Sequence, residues 1–307
     1  QLPVRQHLSL GPAAHRAQVG MSEGLVWLAS YPKSGNTWVR AVWAAYVADG
    51  EPFDFKLLQA ATISDSRWKN ILAVSPRKSP RELSNTDVEA LRLAFQRRLA
   101  NASGPTRPVK THVARTNAAG TPLISARHTR AAVYIVRNPL DIVDSLSDHG
   151  GLTHDRTIEF LNDRGHTLAR DELMAAQYLG TWNGHVASWT EHREFPVVVV
   201  RYEDLHRDPR TQFAGVVELL AGKVEPERLE RAIARASFQN LRTLEGDTAF
   251  QETSVLARGG RFFRRGQDNF WPNVLSRRQA ATVLENHGEV MSRLGYELTD
   301  LDRVYGE

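Results

Sequence analysis

Across residues 25–47, LVWLASYPKSGNTWVRAVWAAYV, the apolar pattern changes period on either side of a short polar turn. Residues 25–30 form a brief, continuous apolar run, as a strand covered on both faces does. After the turn, Val39, Val42, Trp43, Tyr46 and Val47 recur at i, i+3, i+4, i+7 and i+8, which predicts a helix with one face on the core. Segments rich in β-branched residues follow at 108–112, 131–137 and 196–202, the last reading PVVVVRY. Helical patterns lie between them, and that alternation predicts an α/β fold with a central parallel sheet flanked by helices. Ligands of such sheets bind beyond the carboxyl ends of the strands, where all four segments carry side chains capable of chemistry.

The rest of the chain fills in around this frame. Residues 50–107 read as helical with polar breaks, including SNTDVEALRLAFQRRLA, where Ser84 or Asn85 can cap and Asp87 and Glu89 favour the N-terminus. Pro139 suits the first position of a helix in RNPLDIVDSL, and further helices are expected at 226–236 and 276–294. Residues 148–175 are polar and poorly periodic, so mobile lid or substrate loops are expected at 148–180 and 245–265. No internal repeat or Pro-, Gly- or Ser-rich linker interrupts the 307 residues, and 21–307 is read as a single domain behind an N-terminal extension at 1–20.

Composition narrows the function classes. A hydrophobic share of 41% and a charged share of 24% are those of an ordinary globular chain, and no run reaches the ~18 apolar residues of a membrane span. The absence of cysteine removes disulfides, thiolate zinc sites and cysteine nucleophiles, and is compatible with a reducing, cytoplasmic setting. A formal charge of +4 suits anionic ligands, yet no nucleic-acid recognition module is present and no nucleic-acid partner is expected.

The opening turn suits such a ligand. A strand feeding a helix through a turn leaves backbone N–H groups unpaired at the positive end of the helix dipole. Gly35 lets the backbone approach an anion, Ser34 and Thr37 add hydroxyl donors, and Lys33 supplies a point charge. A plain N-cap beside a surface lysine uses the same residue types, so the turn alone leaves both readings open. It is not a Walker A loop, because Lys33 precedes Gly35 instead of following a glycine.

YPKSGNTW resembles the 5′-phosphosulfate loop, a P-loop-like turn, of sulfotransferases that use 3′-phosphoadenosine 5′-phosphosulfate (PAPS). The family's other landmarks follow in order. VKTH at 109–112 resembles the strand end that carries the catalytic histidine, and RNPLDIVDS at 137–145 resembles the 3′-phosphate motif. RYEDL at 201–205 resembles the next strand end, ASFQNL at 236–241 an adenine-contacting segment, and FFRRGQDNFW at 262–271 the late basic loop. The resemblance spans about residues 25–275.

This resemblance implies in-line sulfuryl transfer from PAPS to an acceptor hydroxyl, leaving 3′-phosphoadenosine 5′-phosphate (PAP), with no metal. His112 would be the general base, Lys33 would stabilise the leaving group, and Lys110 would orient the sulfuryl group. Lys33, Ser34, Gly35, Asn36 and Thr37 would hold the 5′-phosphosulfate. Arg137, Ser145, Arg264, Arg265 and Gly266 would hold the 3′-phosphate, with Trp38, Phe238 and Tyr202 about the adenine. His185 and Trp189 resemble a segment near the acceptor pocket, although helix packing explains Trp189 equally well, while Asp141 and Glu203 are read as orienting their neighbours. The acceptor would be a small molecule, a natural-product scaffold or a glycolipid.

Some residues depart from the family pattern. Asn36 stands where many members have Thr, Ala236 where many have Thr or Ser, and Arg265 where Lys is common. The short C-terminal dimerisation motif of many animal members is absent, which leaves the oligomeric state open. Two rivals remain: a small-molecule kinase using Mg-ATP, and a basic nucleotide-binding module without turnover.

Overall fold

In the computed structural model, which describes residues 24–306 apart from 52, 77–78, 103–106, 193 and 249, β1 (Leu25–Ser30) is buried along its whole length. The expected extension at 1–20 lies outside the described residues. Alternate side chains of β1 enter opposite layers, as a period of two requires: Leu25, Trp27 and Ala29 join one apolar cluster and Leu28 the other. β1 is thus the centre of a three-layer arrangement.

Along the chain, α1 (Asn36–Ala48), α2 (Phe55–Ala61), β2 (Ile63–Ser64), α3 (Trp68–Leu72) and α4 (Asn85–Ala100) precede β3 (Val109–Thr111) and β4 (Thr129–Val136). Next come α5 (Pro139–Gly150), α6 (His154–Asn162), the short strands β5 (Thr167–Leu168) and β6 (Gln177–Tyr178), α7 (Trp182–Thr190) and β7 (Val197–Arg201). The chain continues through α8 (Tyr202–Arg207), α9 (Pro209–Ala221), α10 (Pro226–Arg235), α11 (Phe238–Asp247), α12 (Arg277–Arg293) and α13 (Leu301–Tyr305).

The main sheet has five strands in the order β2-β3-β1-β4-β7, all parallel, as the alternation of strands and helices predicts. Trp182, Trp189, Val283 and Met291 from α7 and α12 cover one face, while Val39, Val42, Phe213 and Val216 from α1 and α9 cover the other. The register brings the carboxyl ends into line: Ala29 lies opposite Thr111 and Tyr134, and Val136 opposite Arg201. Whatever follows each strand therefore gathers at one edge.

Local signals explain most helix starts. Ser84 caps α4 in a reciprocal box with Asp87, and Pro139 occupies the first turn of α5. Elements with weak apolar patterns escape the sequence reading. The stretch read as poorly periodic holds α6, capped by Thr153, whose buried Ile158 and Leu161 suffice because α5 and α12 supply the opposing surface. α11 buries Leu241 on a largely polar helix, and β2 is a two-residue strand with no readable period. Val47 leaves the expected core stripe, being 48% exposed in the last turn of α1.

Beyond the end of β2 a charged pair is fully enclosed. Asp65 is 0% and Arg92 1% exposed, and their side chains meet at 2.9 Å. Asp65 also accepts from Thr111 Oγ1 at 3.1 Å, while Arg92 donates to Ser66 Oγ at 2.7 Å and to the Ala176 carbonyl at 2.9 Å. These bonds tie β2, β3, α4 and the segment before β6 together. Arg92→Met is expected to cost about 3–5 kcal/mol, because it strands a buried carboxylate. Urea denaturation measures the loss, and the double variant Asp65→Leu/Arg92→Met should recover most of it.

Candidate functional site

The turn after β1 has the geometry its residue types demand. Lys33 takes a positive φ of 66° and Gly35, the N-cap of α1, a φ of 101°. A Cβ on Gly35 would lie 2.5 Å from the Tyr202 ring, so both backbone angle and close packing require glycine there. Ser34 is 1% exposed and its hydroxyl has no partner, an orphaned donor in the turn that opens α1. Asn36 instead turns its amide back to the Leu28 carbonyl at 2.9 Å, leaving its backbone N–H to the turn.

Desolvation is strongest at the lysines. Lys33 sits with its ammonium 3.8 Å over the Phe262 ring, and burial, helped by the neighbouring Arg137 guanidinium, brings its pKa down to about 7. Lys110, just inside the end of β3, is likewise pulled down by burial, with Glu252 opposing the shift. Glu252 lies 3.9 Å from Lys110, accepts from Thr37 Oγ1 at 3.3 Å and pairs with Arg40 at 2.7 Å. Burial alone would raise the Glu252 pKa, but Arg40 and Lys110 outweigh it and hold the carboxyl far below its usual range.

His112 follows β3 with its tautomer decided by a neighbour. Its Nδ1 lies 2.9 Å from the Ser30 carbonyl oxygen, which can only accept, so Nδ1 carries the hydrogen and Nε2 keeps the lone pair. Burial, reinforced by Lys110, holds the imidazole well below the usual histidine pKa, and it is neutral at physiological pH. The His112 carbonyl accepts in turn from His185 Nε2 at 3.0 Å, and His185 Nδ1 accepts from Tyr134 OH at 2.8 Å. A buried polar chain thus anchors the strand end.

The opposite end of the site is built from β4, α5, α8, α11 and the loop after α11. Arg137 stacks 4.3 Å over Tyr202 and donates to the Lys33 carbonyl at 3.2 Å and the Gln267 carbonyl at 2.8 Å, leaving its buried Nε without a partner. Arg264 and Arg265 both pair with Asp144 on α5, beside Ser145. Gly266, at a φ of 63°, lies so close to Phe238 that an added Cβ would fall 2.2 Å from its ring. Trp38 is half-buried against Tyr202, His206 and Phe213 with an unpaired indole N–H. Asp141 organises the late loop, accepting the Asn269, Phe270 and Trp271 N–H groups at 2.7, 2.9 and 3.0 Å. Glu203 accepts from Asn138 N–H and Tyr296 OH, each at 2.9 Å.

One cavity of about 870 Å³ is lined by Lys33, Gly35, Asn36, Thr37, Trp38, Lys110, His112, Arg137, Ser145, Tyr202, Phe238, Arg264, Arg265 and Gly266. Ser34 lies in the same turn, just beneath the lining. For His185 and Trp189, the packing alternative is the one that the structure shows. Both are 0% exposed beneath the cavity, where Trp189 donates to the Val113 carbonyl at 3.1 Å and His185 holds His112, so they brace the strand end and do not line the pocket. Sequence reasoning missed Arg40 and Glu252. A lone charge within the otherwise apolar run of α1 hints at Arg40, but nothing local marks a partner 212 positions away. Among the described residues no cluster of three or more His, Asp or Glu side chains is arranged to hold a metal ion.

The chain is similar to known proteins in sequence and in fold. A family model for the sulfotransferase domain matches residues 23–295. Luciferin sulfotransferase of Photinus pyralis is 26% identical over 220 residues, covering 70% of this chain and 56% of its own length. Sulfotransferase 2A6 of Rattus norvegicus is 25% identical over 256 residues, covering 82% of this chain and 79% of its own. In fold, the chain is similar to the mouse sulfotransferase SULT7A1 complexed with PAP, with a TM-score of 0.57, 22% identity and coverage of 89% and 86%. Retinol dehydratase in complex with androsterone and PAP gives a TM-score of 0.57 at 20% identity, covering 90% and 82%. With a family model spanning the sheet and every strand end that forms the cavity, the chain belongs to the sulfotransferase domain family, the PAPS-dependent transferases.

Proposed function

We propose that the chain transfers a sulfuryl group in line from PAPS to a hydroxyl of a small molecule, a natural-product scaffold or a glycolipid, in the cytoplasm and without a metal. PAPS supplies the activated sulfuryl group. The observation that carries the reading is the meeting, in one cavity, of the His112 base with desolvated Lys33 and Lys110 beside an anion-binding turn. The orphaned Ser34 hydroxyl, Trp38 indole N–H and Arg137 Nε are donors for a bisphosphorylated nucleotide. Relatives named for luciferin and solved with androsterone support a small-molecule acceptor.

Each residue then has a task. His112 Nε2 takes the proton of the acceptor hydroxyl while Nδ1–H stays on Ser30. Lys33 places positive charge on the departing phosphate oxygen, and Lys110 orients the sulfuryl oxygens. Ser34, Gly35, Asn36 and Thr37 donate to the 5′-phosphosulfate, while Arg137, Ser145, Arg264, Arg265 and Gly266 hold the 3′-phosphate. Trp38 and Phe238 flank the adenine and Tyr202 contacts its edge. A cavity lined by cations at both ends favours a ligand with anions at both ends.

Calorimetric titration in EDTA tests the donor. PAP should bind more tightly than adenosine 5′-phosphate or ATP, and Arg137→Ala should weaken PAP far more than adenosine 5′-phosphate; a preference for ATP, or binding only with Mg²⁺, would overturn the reading. His112→Ala is expected to keep PAP affinity while losing at least about 10²-fold in turnover. Because the His112 pKa lies well below 6.5, the wild-type rate should not fall on acidification until well under that pH.

Lys33 adds a pH dependence to binding. A lysine with a pKa of about 7 is largely neutral above that pH, and an anionic ligand favours its charged form. PAP binding should therefore take up a proton above pH 7 and weaken as pH rises, by up to about tenfold per unit. Titrations in buffers of different ionisation enthalpy read the uptake, which Lys33→Arg should abolish.

A further inference from the structure

Sheet order separates the two halves of the cavity. The residues assigned to the donor nucleotide follow β1, β4 and β7 or come from α11 and the loop after it, Lys110 and His112 stand at β3, and β2 lies on the far side of β3. Ser64 of β2 pairs in register with Lys110, and the chain then turns through Asp65 and Ser66 to Arg67. That turn is rigid. Asp65 and Ser66 are held by the buried Arg92, the Ser66 carbonyl accepts from Ala175 N–H at 2.8 Å, and Arg67 itself bridges Met174 in an antiparallel pair.

The side chain so presented is unusual among its neighbours. Arg40, Arg67, Arg107, Arg137, Arg264 and Arg265 line the cavity, and the other five bond carboxylates or carbonyls. Among the described residues, half-buried Arg67 has neither a hydrogen bond nor an ion pair for its guanidinium. Nearby carboxylates do not serve it: Asp171 Oδ1 accepts from Leu173 and Met174 N–H, each at 2.7 Å, Glu172 is exposed, and Glu252 is held by Arg40. Phe95 and Leu99 supply apolar wall on the same side.

We propose that Arg67 is a specificity-determining residue for the acceptor, which carries a carboxylate on an apolar body, bound by the Arg67 guanidinium while its hydroxyl reaches His112. The planar fork of arginine matches a carboxylate through two parallel bonds. It also offsets repulsion between an anionic acceptor and an anionic donor at close quarters. This inference rests on the sulfotransferase reading.

The test is a panel of phenols, primary alcohols and hydroxysteroids, each as the free carboxylate and the primary amide, assayed with PAPS. Wild-type kcat/KM should favour the carboxylates, and Arg67→Gln should lower it for carboxylates by about 10- to 100-fold more than for amides, with partial rescue by Arg67→Lys. Equal rates for both members of each pair, or equal losses in Arg67→Gln, would overturn the proposal. Loss of PAP affinity in Arg67→Gln would also overturn it, by moving Arg67 to the donor. If no member turns over, calorimetric binding of the same pairs decides the matter, and absence of a carboxylate preference is a refutation. Failure of the wild-type chain to bind PAP counts against the donor reading instead, since the carboxylate and amide pairs are still compared by direct binding.

Discussion

Gathering Lys33, Lys110, Arg40, Arg137, Arg264 and Arg265 around one partly desolvated cavity is the constraint to which the rest of the molecule answers. Like charges at such spacing repel, and each loses hydration on burial. The chain offsets this with its own carboxylates, Glu252 against Arg40 and Lys110, and Asp144 and Asp148 against Arg264 and Arg265. What remains uncompensated appears as the depressed pKa of the two lysines. A site held in this condition gains most from a ligand with several negative charges.

The rigid part of the answer is the core. Tyr134, stacked with Trp189 on one face of the sheet, passes its hydroxyl to His185, and His185 passes an N–H to the His112 carbonyl. Close packing of these aromatic rings leaves them little freedom, so His112 rests on a support that cannot easily shift. The same economy is seen at Gly35 and Gly266, where the backbone approaches Tyr202 and Phe238 too closely for any side chain. Two elements far apart in sequence thus set two walls of one cavity.

Much of this was legible beforehand. Short segments rich in apolar and β-branched residues located β1, β3, β4 and β7, and β1, β4 and β7 read as near-continuous apolar runs because strands covered on both faces need apolar side chains on both. The turn and the motif residues after each strand located one half of the cavity lining, whereas the half built from β2, α4 and the stretches around 168–177 and 251–255 carried no such signal. α6 and α11 were not legible, since a helix that buries one or two apolar residues against a large existing surface carries almost no periodic signal of its own. β2, two residues long, was hidden for the same reason, and with it the turn that carries Arg67.

The sequence by itself determined which residues follow each buried strand and hence which chemistry reaches the carboxyl edge of the sheet. Hydrophobic period and turn composition are local properties of the chain. Only the tertiary structure decided that Glu252 balances Arg40, that His185 braces His112 from below, and that Arg67 faces the cavity without a partner. Each of those depends on charge and hydrogen-bond balance between segments far apart in the chain, and no local pattern encodes which groups will share one low-dielectric space.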